Sequence, residues 1–154
     1  MKLRYIALTA GVAVAVAAAP VVQASPVEGS DPGAQAKFVS DIKTTAGGKK
    51  ATLKASYKCS EGDALWVSAK ETATGEKDKR LKKGGSSETA AAWLQSHRNV
   101  FTCDGKSRTE KFTIDKVEDG SKGKLVPGEA WVQFCVTQGG RDLVLSKSGW
   151  VGVR

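Results

Sequence analysis

Residue types that commonly carry out enzyme chemistry are scarce in this chain of 154 residues. It has one histidine, His97, and three cysteines, Cys59, Cys103 and Cys135. A single imidazole excludes a multi-histidine metal site, and three cysteines cannot form a four-cysteine zinc site. No Gly-x-Ser-x-Gly motif accompanies His97, so a serine-hydrolase triad is not indicated. We therefore expect no catalytic residue, no metal site and no cofactor.

Carboxylates offer two alternative chemistries. A glycosidase would need two of them facing each other across a cleft. The candidates are Glu61, Asp63, Glu110 and Glu118. They fall in predicted turns or at strand starts, where polar residues are common in any fold. A calcium site at Asp115, Glu118 and Asp119 would not follow the spacing of an EF-hand loop, so a solvated turn is the simpler interpretation.

Basic residues form the clearest charge pattern, and the chain carries a net charge of +8. Residues 73–85 are predicted to form a long exposed loop or the polar tip of a hairpin. Five cations crowd into this segment, namely Lys77, Lys79, Arg80, Lys82 and Lys83. Three more, Lys50, Lys54 and Lys58, recur at every fourth position of a predicted strand. Clustered cations concentrate polyanions in a salt-dependent way. Alternatively, the lysines protect an exposed sheet from edge pairing.

Two tryptophans supply a second candidate binding feature. Trp66 and Trp131 alternate with apolar residues that face the predicted core, so their indoles are expected to point outward. An exposed indole can stack on a sugar ring or anchor a protein contact. A β-bulge would turn either side chain inward, and core tryptophans are common in β-sandwiches, so both placements stay open.

The first 24 residues have the features of a secretory signal peptide. Lys2 and Arg4 precede an uncharged segment, residues 5–19, which is shorter than the roughly 20 apolar residues of a membrane-spanning helix. Val22 and Ala24 occupy the positions that signal peptidase reads, which predicts cleavage after Ala24. An uncleaved N-terminal anchor is the alternative. We expect a secreted, extracellular product with no transmembrane anchor.

The mature chain is predicted to be a flexible leader, residues 25–35, followed by one β-domain over residues 36–154. The strongest strand signal is residues 50–59, where apolar and polar side chains alternate over ten positions. Further strands are predicted at residues 37–44, 64–72, 130–137 and 142–154. Residues 37–44 are predicted to form a weaker edge strand, and residues 142–154 an interrupted final strand.

Residues 86–97 allow two structures. Ser87 can cap a short helix near residues 87–96, whereas a strand crossing the sheet would have a similar pattern. The β-character of the rest of the chain favours the strand.

Residues 99–103 and 108–115 flank Asp104-Gly105, a dipeptide typical of tight hairpin turns, and are predicted to pair. Phe112 and Ile114 would then share the inner face. The chain thus contains seven or eight short strands at a spacing of roughly 8 to 12 residues. This pattern indicates an all-β fold, either an antiparallel β-sandwich or a small β-barrel.

Four short motifs lie at or near the ends of the predicted strands. They are Ser56-Tyr57-Lys58-Cys59, Val100-Phe101-Thr102-Cys103-Asp104-Gly105, Phe112-Thr113-Ile114 and Pro127-Gly128-Glu129-Ala130. With these motifs the chain resembles, over about residues 36–153, the small secreted actinobacterial proteins with an immunoglobulin-like domain of unknown function. The resemblance implies an immunoglobulin-like β-sandwich and a disulfide between Cys59 and Cys103, and it supplies no catalytic residues.

Cys135 departs from that two-cysteine pattern. It lies on the opposite face from Val132, Phe134 and Val136, so we expect it to be unpaired within the monomer or to join two chains.

These features together predict a non-enzymatic binding or interaction module of the cell envelope or extracellular space. The expected partner is an anionic cell-wall polymer or an extracellular protein, and no nucleic acid is expected. The alternative is an inhibitor or toxin-like effector that blocks an extracellular enzyme through a loop such as residues 75–85.

Overall fold

Short strands joined by glycine-containing turns make up most of the molecule. A computed structural model describes residues 31–83, 89–117 and 123–154. Strands β1 to β5 span Gln35–Phe38, Lys43–Thr45, Lys50–Lys58, Ala64–Glu71 and Ala92–Arg98. Strands β6 to β9 span Arg108–Ile114, Lys116–Val117, Gly128–Gln138 and Asp142–Val153. Two single 3-10 turns span Ala46–Gly48 and Lys79–Lys82.

The strands form two antiparallel sheets. β3 is the centre of the first sheet, with β1 and β2 paired along one side of it and β6 along the other. The second sheet has the order β7-β5-β4-β8-β9. β3 and β4 lie in different sheets, as do β5 and β6, so the chain crosses repeatedly between layers. The described strands therefore form an immunoglobulin-like antiparallel β-sandwich, which confirms the predicted fold class and excludes the alternative of a closed barrel.

The segment between β1 and β2 joins the two sheets along one edge. Ile42 forms a parallel bridge with Val153, and its amide donates to the carbonyl of Gly152 at 2.8 Å. The amide of Arg154 donates in turn to the carbonyl of Ile42 at 2.9 Å. The edge strand predicted at residues 37–44 is thus two shorter strands with a crossover between them. This crossover covers the C-terminal part of β9, which would otherwise leave its edge open to pairing.

The core lies between the sheets, where the alternating side chains of both layers meet. Its centre is an aromatic cluster in which the ring of Phe134 lies 5.5 Å from that of Tyr57 and 5.6 Å from that of Phe112. Phe112 and Ile114 are fully buried, as their shared parity predicts. Aromatic pairs at such distances contribute about 0.5 to 1.5 kcal/mol each beyond the area they bury.

A polar network ties the two sheets together beside this cluster. The Tyr57 hydroxyl donates to Glu110 Oε1 at 2.8 Å, and Arg98 Nη1 pairs with Glu110 Oε2 at 2.6 Å. Burial and the Glu110 contact raise the pKa of Tyr57 to about 12. Because Arg98 belongs to the second sheet and the other two residues to the first, Glu110 links the two sheets.

The disulfide between Cys59 and Cys103 is present, as predicted. Their Cα atoms lie 4.8 Å apart although 44 residues separate them in the chain. The bond attaches the connection between β5 and β6 to the end of β3, and Phe101 of that connection packs against the core. In the chain-entropy model, closing a loop of this length stabilises the fold by about 4 kcal/mol.

The predicted hairpin between residues 99–103 and 108–115 is wrong. Residues 99–103 form no strand, and β6 pairs with β3 instead. Asp104-Gly105 nevertheless makes a tight turn, with Gly105 at a φ of 76° and the Lys106 amide donating to Asp104 Oδ1 at 3.2 Å. The turn signal is local, whereas the pairing of β6 is decided by its buried face, which completes the core next to β3.

The helix-or-strand alternative for residues 86–97 is settled where the structure describes them. Ala92–Arg98 is a strand that pairs with β4, and residues 89–96 contain no helix. The proposed helix cap, Ser87, lies outside the described residues.

The domain was predicted to start at residue 36, but its first strand begins one residue earlier. Gln35 already belongs to β1, and Asp31 Oδ2 accepts a hydrogen bond from the Ser60 amide at 2.8 Å. The predicted signal peptide, residues 25–30 of the leader, Glu118 and Asp119 lie outside the described residues. Across the described ranges, we find no helix with the length and apolar character needed to span a bilayer.

Candidate functional site

Three tryptophans and a lysine form a row across the outer face of the second sheet. The strand register places Lys70 opposite Trp93 on one side and opposite Trp131 on the other, and Trp131 opposite Trp150. The Trp131 and Trp150 rings lie 5.3 Å apart, edge to face. Lys70 Nζ lies 4.1 Å from the Trp93 ring centre. We call Trp93, Lys70, Trp131 and Trp150 the tryptophan row.

The basic segment, residues 77–83, packs onto this row. Asp78 caps its 3-10 turn by accepting a hydrogen bond from the Arg80 amide at 2.9 Å. Leu81 is fully buried, and Lys82 Nζ lies 5.1 Å from the centre of the Trp131 ring. The five cations are exposed, as expected for this segment, while one apolar side chain, Leu81, and one cation, Lys82, anchor it to the sheet.

The cations of the basic segment differ in their partners. Lys77 pairs with Glu129 at 3.4 Å, and Arg80 pairs with Asp78 at 2.6 Å. The Arg80 side chain, by hydrogen bonding to Asp78, lowers the pKa of that carboxyl group. Within the described part of the chain, no ion pair involves the remaining three cations, Lys79, Lys82 and Lys83. The segment thus presents a local excess of positive charge at fixed positions.

Lys70 lies beneath the basic segment and is almost completely buried. Its ammonium donates to the carbonyl of Lys83 at 3.4 Å while lying over the Trp93 ring. The aliphatic part of a lysine can bury in this way while its charge is held by a π face and a carbonyl. Lys70 therefore helps fix the C-terminal end of the segment to the tryptophan row.

Trp66 is on the same outer face but apart from the basic segment. It pairs with Cys135 and His97 in the register, four residues along β4 from Lys70. Its Nε1 donates to Gln95 Oε1 at 2.6 Å, and His97 Nε2 lies 2.9 Å from the same oxygen. The residues predicted to bind a ligand therefore do not form a single site, because Trp131 contacts the basic segment and Trp66 does not.

Both predicted tryptophans point away from the core, as their parity indicates, and both are half-buried. Trp131 Nε1 is shielded from solvent and has no hydrogen-bond partner among the described residues. The bulge that would have turned a tryptophan inward occurs instead between Val136 and Thr137. The outward placement is therefore correct for both tryptophans, and the core placement is wrong.

A groove of about 670 Å³ lies beside the free end of the tryptophan row. It runs between β9 and the crossover from β1 to β2. Its lining includes Phe38, Ser40, Asp41, Lys77, Glu129 and Trp150. The groove therefore offers one indole and groups of both charges next to the basic segment.

The remaining chemically reactive groups lie elsewhere. Cys135 is half-buried and unpaired, its Sγ is 3.8 Å from Ser146 Oγ, and burial raises the pKa of its thiol. Glu71 is fully buried on the inner face of β4, where Oε2 accepts from the Val126 amide at 2.7 Å and Oε1 has no partner among the described residues. Burial raises the pKa of Glu71 to about 7. Within the described residues, no three His, Cys, Asp or Glu side chains group as a metal site would require.

Trp93 and Trp150 were not singled out from the sequence. Trp150 follows Gly149 in the interrupted final strand, where alternation is weak. Trp93 lies in the segment for which helix and strand were both open. If this segment is a strand, alternation places Trp93 on the outer face, so its orientation could have been predicted. That Trp93 and Trp150 lie in one row, however, depends on the register between strands that are distant in the sequence.

Comparisons with models of protein families and with curated proteins give no match. Among solved structures, the chain is similar to the C-terminal domain of wzt, with 16% identity and a TM-score of 0.32 over 82% of this chain and 81% of that chain. It is also similar to β-glucosidase 3B from Thermotoga neapolitana in complex with α-D-glucose, with 17% identity and a TM-score of 0.28. A β-glucosidase from Kluyveromyces marxianus has 13% identity and a TM-score of 0.29.

The match covers 77% and 78% of this chain but only 16% and 15% of the two β-glucosidase chains. All three TM-scores lie below 0.5, so we base the function on the geometry of the chain itself. That geometry defines a disulfide-bonded β-sandwich with a basic segment fixed on an outer tryptophan row.

Proposed function

We propose that this protein is a secreted, non-enzymatic binding module of the cell envelope or extracellular space that holds an anionic polymer through its basic segment. The observation that carries this proposal is the anchoring of the segment by buried Leu81 and by Lys82 on Trp131. Anchoring holds the cations in place before a ligand arrives. Binding then costs less conformational entropy than it would on a mobile loop.

The ion pairs of the segment do not block this role. The pair of Lys77 with Glu129 has both side chains substantially exposed, at 55% and 39%, and Arg80 is more exposed still. Exposed pairs contribute only about 0 to 1 kcal/mol. An anionic ligand can therefore replace Glu129 on Lys77 at little cost, whereas Asp78, whose side chain is only 23% exposed and caps the turn, stays paired with Arg80.

The surroundings of the acid and base candidates support a role without catalysis. Glu110 is held by Tyr57 and Arg98 in the network between the sheets. A nitrogen of His97 is engaged with Gln95 on the outer face, and Glu71 faces the core on the opposite side of the sheet. These groups do not converge on the groove beside Trp150.

Secretion is supported by the disulfide, since such bonds persist mainly in oxidising compartments. Sequencing the N-terminus of exported protein would test this part. We expect it to begin at Ser25, and finding Met1 retained in exported material would contradict cleavage.

The binding proposal is tested by retention of the mature chain on immobilised inorganic polyphosphate as salt is raised. We expect retention to fall steeply with salt, because exposed charges are screened over a Debye length of about 8 Å at physiological ionic strength. A Lys79→Gln/Lys82→Gln/Lys83→Gln variant should elute at lower salt than the wild type. The matched control, Lys106→Gln/Lys124→Gln/Lys147→Gln, removes the same charge from exposed sites outside the segment.

Equal elution of these two variants would contradict a specific role for the segment. Retention that does not respond to salt would contradict the electrostatic mechanism. It would favour the alternative, an inhibitor that presents residues 75–85 to an extracellular enzyme.

A further inference from the structure

The outer face of the first sheet is covered by lysines. Six of them point outward from β1, β2, β3 and β6, and all are exposed. They are Lys37, Lys43, Lys50, Lys54, Lys58 and Lys111. The other outward residues of these strands are Gln35, Thr45, Thr52, Ser56, Thr109 and Thr113. None of the outward positions on these strands is acidic, and we call this surface the lysine face.

The strand register brings the lysines close together. Lys54 lies directly opposite Lys111 on the neighbouring strand. Lys37 lies opposite Ser56 and is therefore diagonal to Lys54 and Lys58. Side chains directly opposite have Cβ atoms about 5 Å apart and diagonal ones about 7 to 8 Å, and like charges at the closer distance destabilise a sheet. No described ion pair involves any of the six lysines, although the Asp31 carboxylate, which binds Ser60 beyond the end of β3, interacts electrostatically with Lys58.

Protection against edge pairing explains only part of this arrangement. Edge lysines discourage strand addition only where backbone groups are unpaired. Lys37, Lys43 and Lys111 lie on such strands. Lys50, Lys54 and Lys58, however, lie on β3, the central strand of the sheet. A mixture of positive and negative surface charges keeps a protein equally soluble. A large surface of one charge sign is expected mainly where it attracts a ligand.

We propose that the lysine face is a docking surface for a linear phosphate polymer and acts independently of the basic segment. Lysine ammonium groups bind phosphate as compact point charges. Outward positions repeat about every 7 Å along a strand, and strands lie about 4.8 Å apart, so a chain with closely spaced phosphates can meet several lysines at once. The hydroxyls of Thr52, Thr109 and Thr113 lie between the lysines and can donate to the same oxygens.

The face carries no outward aromatic side chain in the described strands. Single-stranded nucleic acids usually gain much of their affinity by stacking bases on such side chains. The lysine face therefore fits a phosphate chain without bases better than it fits RNA or single-stranded DNA. Its position on the first sheet, with the basic segment on the second, allows one molecule to hold two polymer chains on opposite sides of the sandwich.

The test measures the dissociation constant of the mature chain for long-chain inorganic polyphosphate at fixed salt. The measurement is made on the Lys79→Gln/Lys82→Gln/Lys83→Gln protein, so that the basic segment does not bind the same polymer. In this parent, Lys37→Gln/Lys54→Gln/Lys111→Gln should weaken binding about tenfold, as expected when three exposed ionic contacts of modest strength are lost. The control Lys106→Gln/Lys124→Gln/Lys147→Gln, which removes the same charge elsewhere, should stay within about twofold of the parent. Unfolding curves of both variants establish that each is folded.

Equal binding by the two variants would overturn the lysine face as a docking surface. Single-stranded RNA that bound as tightly as polyphosphate, at equal phosphate concentration, would overturn the assignment to a simple phosphate chain. The Lys79→Gln/Lys82→Gln/Lys83→Gln variant distinguishes this inference from the proposed function. It removes charge from the basic segment alone and leaves the lysine face unchanged. Beads coated with polyphosphate should be bridged by the wild type and by neither triple variant of the two surfaces.

Discussion

Lys82 Nζ lies 5.1 Å from the centre of the Trp131 ring, and this contact joins two features that the sequence presents as unrelated. The distance is within the range of about 6 Å over which a cation is attracted to an aromatic face. Lys82 belongs to the basic segment and Trp131 to the centre of β8. The contact therefore fixes a charged surface feature to the rigid sheet.

A double-mutant cycle with Lys82→Met and Trp131→Leu measures this contact. We expect a coupling energy of about 0.5 to 1 kcal/mol, typical of partly exposed cation–π pairs. Urea unfolding of the four proteins gives the value. Trp131→Phe is the conservative control, because it keeps an aromatic face and removes the buried Nε1 donor that has no partner among the described residues. Additive effects of the two substitutions would contradict an interaction between these side chains.

Leu81 should control the protease resistance of the basic segment. Trypsin cleaves after lysine and arginine, and residues 77–83 contain five such sites. The wild type should resist cleavage there, because a buried Leu81 holds the segment against the sheet. Leu81→Ser should open the segment locally and expose it to cleavage while the β-sandwich stays folded.

Limited trypsin digestion followed by mass spectrometry locates the cuts. Leu81→Met retains an apolar side chain of similar volume and should behave like the wild type. If trypsin cleaved the wild type within residues 77–83 as fast as it cleaves Leu81→Ser, the segment would not be anchored.

The strands with the most regular alternation could be predicted from the sequence. In β3, Leu53 and Tyr57 are buried while Lys54 is exposed, as the period of two requires. β4 and β8 follow the same rule near Val67 and Phe134. A period of two determines which residues share a face, and that information is local.

Strand pairing was predicted less well, because it depends on contacts between distant segments. Asp104-Gly105 correctly indicates a turn, yet the residues before it form no strand. The same limit explains why the tryptophan row and the lysine face emerge only with the structure. Trp150 meets Trp131, and Lys111 meets Lys54, through registers that no local pattern encodes.

The Cys59–Cys103 disulfide should provide a large share of the stability of the fold. Replacing both cysteines by alanine is expected to lower the free energy of unfolding by about 4 kcal/mol, because the unfolded chain regains the freedom of the 44-residue connection. Cys135→Ser is the matched control and should change stability much less, since that thiol is half-buried and unpaired. Denaturant unfolding measures both. Peptide mapping without reductant that linked Cys135 to either partner would overturn the pairing.

Glu71 should make the stability of the protein depend on pH. Burial raises the pKa of its carboxyl group from 4.5 to about 7 in the folded state. Between these two values the folded protein binds a proton that the unfolded chain has released. Stability is therefore greatest below about pH 4.5 and is lost as the pH rises through about 7. This difference between the two pKa values corresponds to a loss of roughly 3 kcal/mol in the free energy of unfolding.

Unfolding free energies of the wild type and of Glu71→Gln, measured at pH 4, 6 and 8, test this effect. The amide cannot ionise, and its oxygen can still accept from the Val126 amide, as Oε2 of Glu71 does in the wild type. The stability of the variant relative to the wild type should therefore increase with pH. Taking this difference removes the contributions of all other titratable groups, because the two proteins share them. Glu61→Gln, at an exposed position, is the matched control for the loss of one carboxyl group. A constant difference between the wild type and Glu71→Gln over this range would show that the buried carboxyl group does not titrate there.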